Sequence, residues 1–81
     1  MISINIKLHK IAAPKEVALK PNGEFDKLVV EKNSCLSNLT HILKVPDTGF
    51  VILVNGIAVR DPDMQLRDND SIEIFRLHAG G

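Results

Sequence analysis

The sequence has few aromatic residues and a single cysteine. It contains no tryptophan, no tyrosine and only three phenylalanines, so a platform on which nucleic-acid bases stack is not expected. Cys35 is the only cysteine, which excludes a disulfide within the chain and a cysteine-rich zinc or iron–sulfur site. Such sparing use of cysteine is typical of a reducing compartment, and we expect a cytoplasmic protein.

Long apolar runs and an excess of charge of either sign are also missing. No stretch approaches the roughly 20 apolar residues of a membrane-spanning helix, and the first ten residues lack the basic-then-apolar pattern of a signal peptide. Ten basic and ten acidic residues give a formal net charge of zero. We therefore expect neither a nucleic acid nor a membrane as a partner. The three histidines are far apart and show no ligand spacing, so no metal site is expected.

What remains is the composition of one small globular domain. The chain has 81 residues, 44% of them apolar, which suits a modest core and argues against disorder. The stretch Asn55-Gly56 is a strong hairpin signal, because both residues tolerate positive φ, and it divides one apolar run into two strands. Strand patterns occur at residues 2–9, 25–32, 50–59 (the divided run) and 71–77.

One amphipathic helix is predicted between the second and third strands. Ser34 is a good N-cap, and Pro46 and Gly49 end the pattern, which gives a helix of about 11 residues. The apolar residues of its predicted core-facing side are Leu36, Leu39, Ile42 and Leu43. Cys35 lies in the first turn, and we interpret it as a small apolar residue rather than a reactive thiol.

The order strand–strand–helix–strand–strand–strand predicts an α+β fold with one helix on one face of a mixed four- to five-stranded sheet. The first and last strands are the most apolar, so we place them side by side at the centre of the sheet. This arrangement is a β-grasp, the ubiquitin-like architecture. We expect a single domain over residues 1–77 and a flexible Gly-Gly tail over residues 78–81.

The alternation of residues in the last predicted strand indicates a docking face beside the tail. If Ile72 and Ile74 face the helix, their neighbours in the strand point away from it, and Val51 and Leu53 of an adjacent strand join them. Apolar side chains exposed on so small a domain usually mark an interface. The expected partner-binding residues at this end of the chain are Phe75, Arg76, Leu77 and His78.

Three motifs carry a resemblance to a known family. They are "VILVNGIAV" at 51–59, "LRDNDSIEIF" at 66–75 and "AGG" at 79–81. In this order and spacing the chain resembles the MoaD/ThiS family of ubiquitin-like sulfur carriers, which includes the small subunit of molybdopterin synthase and the sulfur carrier of thiamine biosynthesis. Asn69 stands where the family usually has glycine, and asparagine also accepts left-handed backbone geometry.

The resemblance implies that the C-terminal carboxylate of Gly81 is the reacting group. A ubiquitin-activating-type enzyme would use ATP to adenylate it, and sulfur would then displace AMP to give a thiocarboxylate. The channel that holds the tail would recognise Gly80 and Ala79. The protein itself would be a carrier with no catalytic site and no bound cofactor.

The resemblance also implies further partners and leaves alternatives open. These partners are a sulfur donor of the desulfurase or rhodanese type, and either thiazole synthase or the large subunit of molybdopterin synthase as acceptor. Arg76-Leu77 stands where molybdopterin-synthase subunits often have Pro-Pro, which favours a thiamine-type or other carrier. The alternatives are a protein modifier conjugated through Gly81 and a β-grasp interaction domain whose tail is never activated.

Overall fold

A computed structural model describes residues 1–11, 14–15, 17, 24–45 and 48–77. The elements in chain order are β1 (Ile2–His9), β2 (Asp26–Val30), α1 (Leu36–Ile42), β3 (Phe50–Val54), β4 (Ile57–Ala58) and β5 (Ser71–Arg76). Each of the predicted strands is present, and each is as long as its prediction or a few residues shorter. The expected domain boundary after residue 77 stays a prediction, because residues 78–81 lie outside the described residues.

The strands form one five-stranded sheet in the order β2-β1-β5-β3-β4. The two central strands, β1 and β5, run parallel to each other, whereas β2 is antiparallel to β1 and β3 is antiparallel to β5. A mixed sheet with one helix on one face and with the first and last strands at its centre is the β-grasp fold, so the predicted architecture is confirmed.

The core lies between the sheet and α1. Alternation in β1 and β5 directs every second side chain toward the helix, and Ile4, Ile72 and Ile74 have no exposed surface at all. Fully burying one such side chain stabilises the fold by about 1.5–3 kcal/mol. The buried apolar residues are Ile4, Ile6, Leu8, Val30, Leu36, Leu39, Leu43, Val54, Leu66, Ile72 and Ile74.

The helix is shorter than predicted, and it begins one residue later. Cys35, not Ser34, is the N-cap, because the Asn38 side-chain oxygen accepts a hydrogen bond from the Cys35 N–H at 2.8 Å. The Ser34 hydroxyl instead donates to the Glu31 carbonyl at 2.7 Å. At the other end, Lys44 has a φ of 55°, a left-handed conformation that stops the helix.

Ile42 was expected on the buried side of α1, and this expectation is wrong. Its side chain is 41% exposed, whereas Leu39 and Leu43 are buried. At 100° per residue, Ile42 lies roughly 80° from the centre of the buried stripe. It therefore falls at the border of the contact with the sheet.

Two turns hold the first residue of β5 in place. Asn55, at a φ of 52°, forms the predicted β3–β4 hairpin turn with Gly56, and its side-chain amide donates to Asp70 Oδ1 at 2.9 Å. Its Oδ1 accepts the Ser71 N–H at 2.9 Å, while Asp70 Oδ2 accepts the Arg67 N–H at 2.8 Å. Both quoted turn motifs therefore meet at one end of β5, and the tail follows its other end.

The predicted left-handed conformation of Asn69 is confirmed. Its φ is 68°, so asparagine takes the place of glycine in this turn. The Asn69 N–H donates to the Ser3 carbonyl at 2.7 Å, and the Asn5 N–H donates to the Asp70 carbonyl at 2.8 Å. The turn before β5 is thereby joined to β1 as well as to β3.

Candidate functional site

The candidate site is the face of the sheet opposite the helix, which we call the outer face, at the end of β5 that leads to the tail. Ile72 and Ile74 face the core, as predicted, and they are completely buried. Glu73 and Phe75 alternate with them and are half-buried on the outer face. The prediction that Phe75 points outward is therefore confirmed.

The ring of His9 covers one side of Phe75. The register of the parallel strands places His9 beside Phe75, and their ring centroids are 3.9 Å apart with only 8° between the planes. Val51 is the partner of Phe75 on the other side. Phe75 is thus half-buried, and the outer face presents an aromatic stack flanked by a valine.

A row of polar side chains lies across the outer face, next to the aromatic stack. Glu73 Oε1 is 3.8 Å from Lys7 Nζ and 3.6 Å from His9 Nε2. Lys7 and Glu73 are partly exposed, so their ion pair contributes at most about 1 kcal/mol. His9 Nε2 is inaccessible to solvent and makes no hydrogen bond to the described residues. The stack with Phe75 is therefore the contact that orients the His9 ring.

The sheet extends as far as Leu77, the last described residue before the tail. The Leu77 N–H donates to the Gly49 carbonyl at 2.8 Å, and Gly49 has a φ of 85° that favours glycine. The Leu77 side chain is 52% exposed. Arg76 is also exposed and pairs in register with Phe50. Three predicted partner-binding residues, from 75 to 77, therefore share this end of β5.

The other predicted site residues lie outside the described residues. They are His78, Ala79, Gly80 and Gly81. Their roles stay predictions, as do the partner-binding roles of the three residues before them. Because the Leu77 N–H is bonded to the carbonyl of Gly49, just before β3, the starting point of the tail is nevertheless defined.

The Cys35 thiol lies at the start of α1. Its Sγ is 3.0 Å from Ser37 Oγ, and the Ser37 hydroxyl, followed by the Asn38 backbone N–H, lowers the pKa of the thiol by stabilising the thiolate. The thiol is partly exposed. These contacts explain Cys35 as a capping residue, and they connect it to no group of the outer face.

Neither a metal cluster nor a membrane span is found in the part of the chain that the structure describes. No group of three or more histidine, cysteine, aspartate or glutamate residues there is placed to hold an ion. Within the same residues, no helix is long and apolar enough to cross a bilayer.

His9 is the outer-face residue that sequence reasoning missed. Its position in the first strand indicates that it points away from the core, because it alternates with Leu8. The signal that places it against Phe75 is the parallel register of β1 and β5. That register joins residues 66 positions apart in the sequence, and no local pattern specifies it.

Comparison with known proteins gives one family and one fold. The model of the ThiS family matches residues 6–81. No curated protein matches the chain. Among solved structures, the crystal structure of SAMP1 from Haloferax volcanii is similar with a TM-score of 0.61 and 18% identity, over 98% of this chain and 99% of that chain. At this identity the likeness shows the shared fold, whereas the family match covers nearly the whole sequence, and the chain therefore belongs to the ThiS family of ubiquitin-like sulfur carriers.

Proposed function

We propose that the protein carries sulfur as a thiocarboxylate at Gly81. A carboxylate oxygen of Gly81 attacks the α-phosphorus of ATP in an activating enzyme, and pyrophosphate leaves. A sulfur nucleophile such as hydrosulfide then attacks the carbonyl carbon, and AMP leaves with the bonding electrons. The observation that carries this proposal is the family match, which extends to residue 81 and so includes the C-terminal Gly-Gly.

The tail requires glycine for a steric reason, and ordering the tail has an energetic cost that the folded body must offset. The α-carboxylate is ionised at neutral pH, and a residue without Cβ leaves its carbonyl carbon open to attack. An extended tail can hydrogen-bond the walls of a narrow channel. Ordering its four residues costs about 1–2 kcal/mol each, so the folded body must bind the partner through additional contacts.

The outer face is the surface that we assign to this binding. Val51, Phe75 and Leu77 form its apolar part, next to the point at which the tail begins. Covering the exposed half of Leu77 together with the free side of the aromatic stack would remove apolar surface from water and offset part of the ordering cost. Arg76, which stands between Phe75 and Leu77 in the sequence and is exposed, would pair with an acidic group of the partner.

The partners that we propose are an activating enzyme of the ubiquitin-activating type, a desulfurase or rhodanese as sulfur donor, and a sulfur-accepting synthase. We favour thiazole synthase over the large subunit of molybdopterin synthase as acceptor, because Arg76-Leu77 replaces the Pro-Pro often found before the tail of molybdopterin-synthase subunits. The setting that we propose is the cytoplasm.

Pyrophosphate exchange into ATP tests the activation step. The full-length protein should support exchange by its activating enzyme, whereas a chain without Gly81 should reduce the rate at least about 100-fold because the attacking carboxylate is displaced. Lys27→Gln, at the far edge of the sheet, is the matched control and should leave the exchange rate unchanged. Equal exchange with the truncated chain would contradict the proposal. Separately, finding this protein attached to lysines of other proteins would identify it as a modifier instead.

A further inference from the structure

A groove of about 590 Å³ lies beside the part of β3 that the short edge strand β4 leaves uncovered. Its walls are one side of α1, the first half of β3 and the segment that follows β4. Apolar atoms from Phe50, Ile52 and Val59 form its floor, and all three side chains also pack on the core. The groove shares Val51 and Leu77 with the apolar part of the outer face, but it does not include His9 or Phe75.

The backbone of β3 is free at Phe50, at one end of this groove. The Asn55 N–H donates to the Ser71 carbonyl, and the Gly49 carbonyl accepts the Leu77 N–H. Odd-numbered residues of β3 therefore bond toward β5, and even-numbered residues direct their N–H and C=O groups to the opposite edge. On that edge, the Val59 N–H donates to the Ile52 carbonyl at 3.0 Å. Two residues earlier, the edge-facing N–H and C=O of Phe50 meet no backbone group of the described residues. One donor and one acceptor therefore remain for an added strand.

Among the described residues, the charge of the groove has one sign. Arg60 is the only charged residue that the described part of the lining contains; it is exposed and makes no ion pair with the described residues. The nearest carboxylate in sequence, that of Asp61, accepts the Asp63 N–H at 3.0 Å within its own turn. A ligand that passes Arg60 would therefore meet an unpaired guanidinium, which favours a carboxylate.

We propose that this groove binds an extended acidic peptide segment of a partner protein by strand addition at Phe50. Valine-like residues on one side of the added strand would pack on Phe50, Ile52 and Val59, and an acidic residue on the other side would pair with Arg60. This site goes beyond the proposed sulfur transfer, since it requires neither the tail nor ATP. The free N–H and C=O of Phe50 favour a ligand with an extended backbone, and Arg60 favours a ligand with an acidic side chain.

A nuclear magnetic resonance titration of the full-length, isotope-labelled protein tests this site. The probe is the peptide acetyl-Val-Asp-Val-Asp-Val-amide, and the matched control peptide has lysine in both aspartate positions. We expect amide shifts at Phe50, Val51 and Arg60, and a dissociation constant about fivefold lower for the acidic peptide, as for one partly exposed ion pair. Arg60→Gln should abolish this difference, whereas Lys27→Gln on the opposite edge strand should preserve it.

Three results would overturn the proposal. The first is equal binding of the two peptides, and the second is a set of shifts centred on β2 or an absence of shifts at millimolar peptide. The third is binding only after removal of residues 78–81, which would make the chain's own tail the occupant. The titration uses neither ATP nor the activating enzyme, whereas pyrophosphate exchange requires both, so a failure of this site can be distinguished from a failure of the proposed function.

Discussion

The Asn55 side chain joins the β3–β4 turn to the first residue of β5, and its removal should destabilise the fold in a way that the structure quantifies. Asn55→Gly keeps a residue that accepts positive φ but deletes the bonds to Asp70 and Ser71. A bond to a charged group contributes about 1.5–3 kcal/mol and a neutral one about 0.5–1.5 kcal/mol. We therefore expect a loss of about 2–4 kcal/mol in the free energy of unfolding.

This loss is large for so small a protein. A chain of 81 residues has a total stability of about 4–12 kcal/mol, so the variant should fold but unfold at a lower urea concentration. With a denaturant slope of about 1 kcal/mol/M, the midpoint should fall by about 2–4 M. Far-ultraviolet circular dichroism is the appropriate signal, because the sequence contains no tryptophan or tyrosine.

Two further variants separate the hydrogen bonds from the backbone geometry. Asn55→Ala should lose about 1–2 kcal/mol more than Asn55→Gly, since alanine is strained at positive φ. Asn33 also has positive φ, at 72°, but its side chain accepts a hydrogen bond from the exposed Gln65 instead of from a buried group, so Asn33→Gly should cost about 0.5 kcal/mol. If Asn55→Gly is no less stable than Asn33→Gly, the reasoning about the buried end of β5 is refuted.

Three other predictions concern the core, the outer face and the thiol. Leu39→Ala should lower the free energy of unfolding by about 2–5 kcal/mol, measured by thermal denaturation, because Leu39 is completely buried. His9→Ala should raise the KM of the activating enzyme for this protein by about 2- to 10-fold, with kcat unchanged, because Phe75 loses its stacking partner; an unchanged KM would remove the outer face from the docking surface. The lowered pKa of Cys35 leaves more thiolate at neutral pH, so alkylation by iodoacetamide should reach half its maximal rate at a lower pH than for a free cysteine, and Ser37→Ala should raise that midpoint. Identical pH profiles for the two proteins would contradict the assigned cause.

The elements of the fold were predictable because each is specified by a local pattern. Alternation from Ile2 to Leu8 predicts β1, and Asn55-Gly56 predicts the hairpin that the structure contains. The placement of β1 beside β5 was also predicted, since the two most apolar strands belong at the centre of a sheet covered on one face.

The errors arose where two local interactions compete or where a residue lies at a border. Ser34 is the better N-cap by residue type, but its hydroxyl bonds back to Glu31, and the Asn38 side chain caps the helix at Cys35 instead. Ile42 fits the apolar pattern of the helix, yet the helix ends at this residue and its side chain remains 41% exposed. Residue types alone do not rank such competing geometries.

The candidate site also contains features that the sequence predicts and features that it does not. The outward direction of Phe75 followed from alternation with Ile74, whereas the stack with His9 depends on the register between strands distant in sequence. The turn motifs behind the resemblance are structural, because Asn55 and Asp70 fix the end of β5 remote from the tail. The reacting group was recognised from a family pattern, and its chemistry is what an experiment must establish.

Fragmentation mass spectrometry of the intact protein, after incubation with its activating enzyme, ATP and a sulfur donor, tests the central claim most directly. The account predicts a mass increase equal to the replacement of one oxygen by sulfur, confined to the smallest C-terminal fragment that contains Gly81. An unchanged mass, or sulfur found on Cys35 and not at the C-terminus, would contradict it.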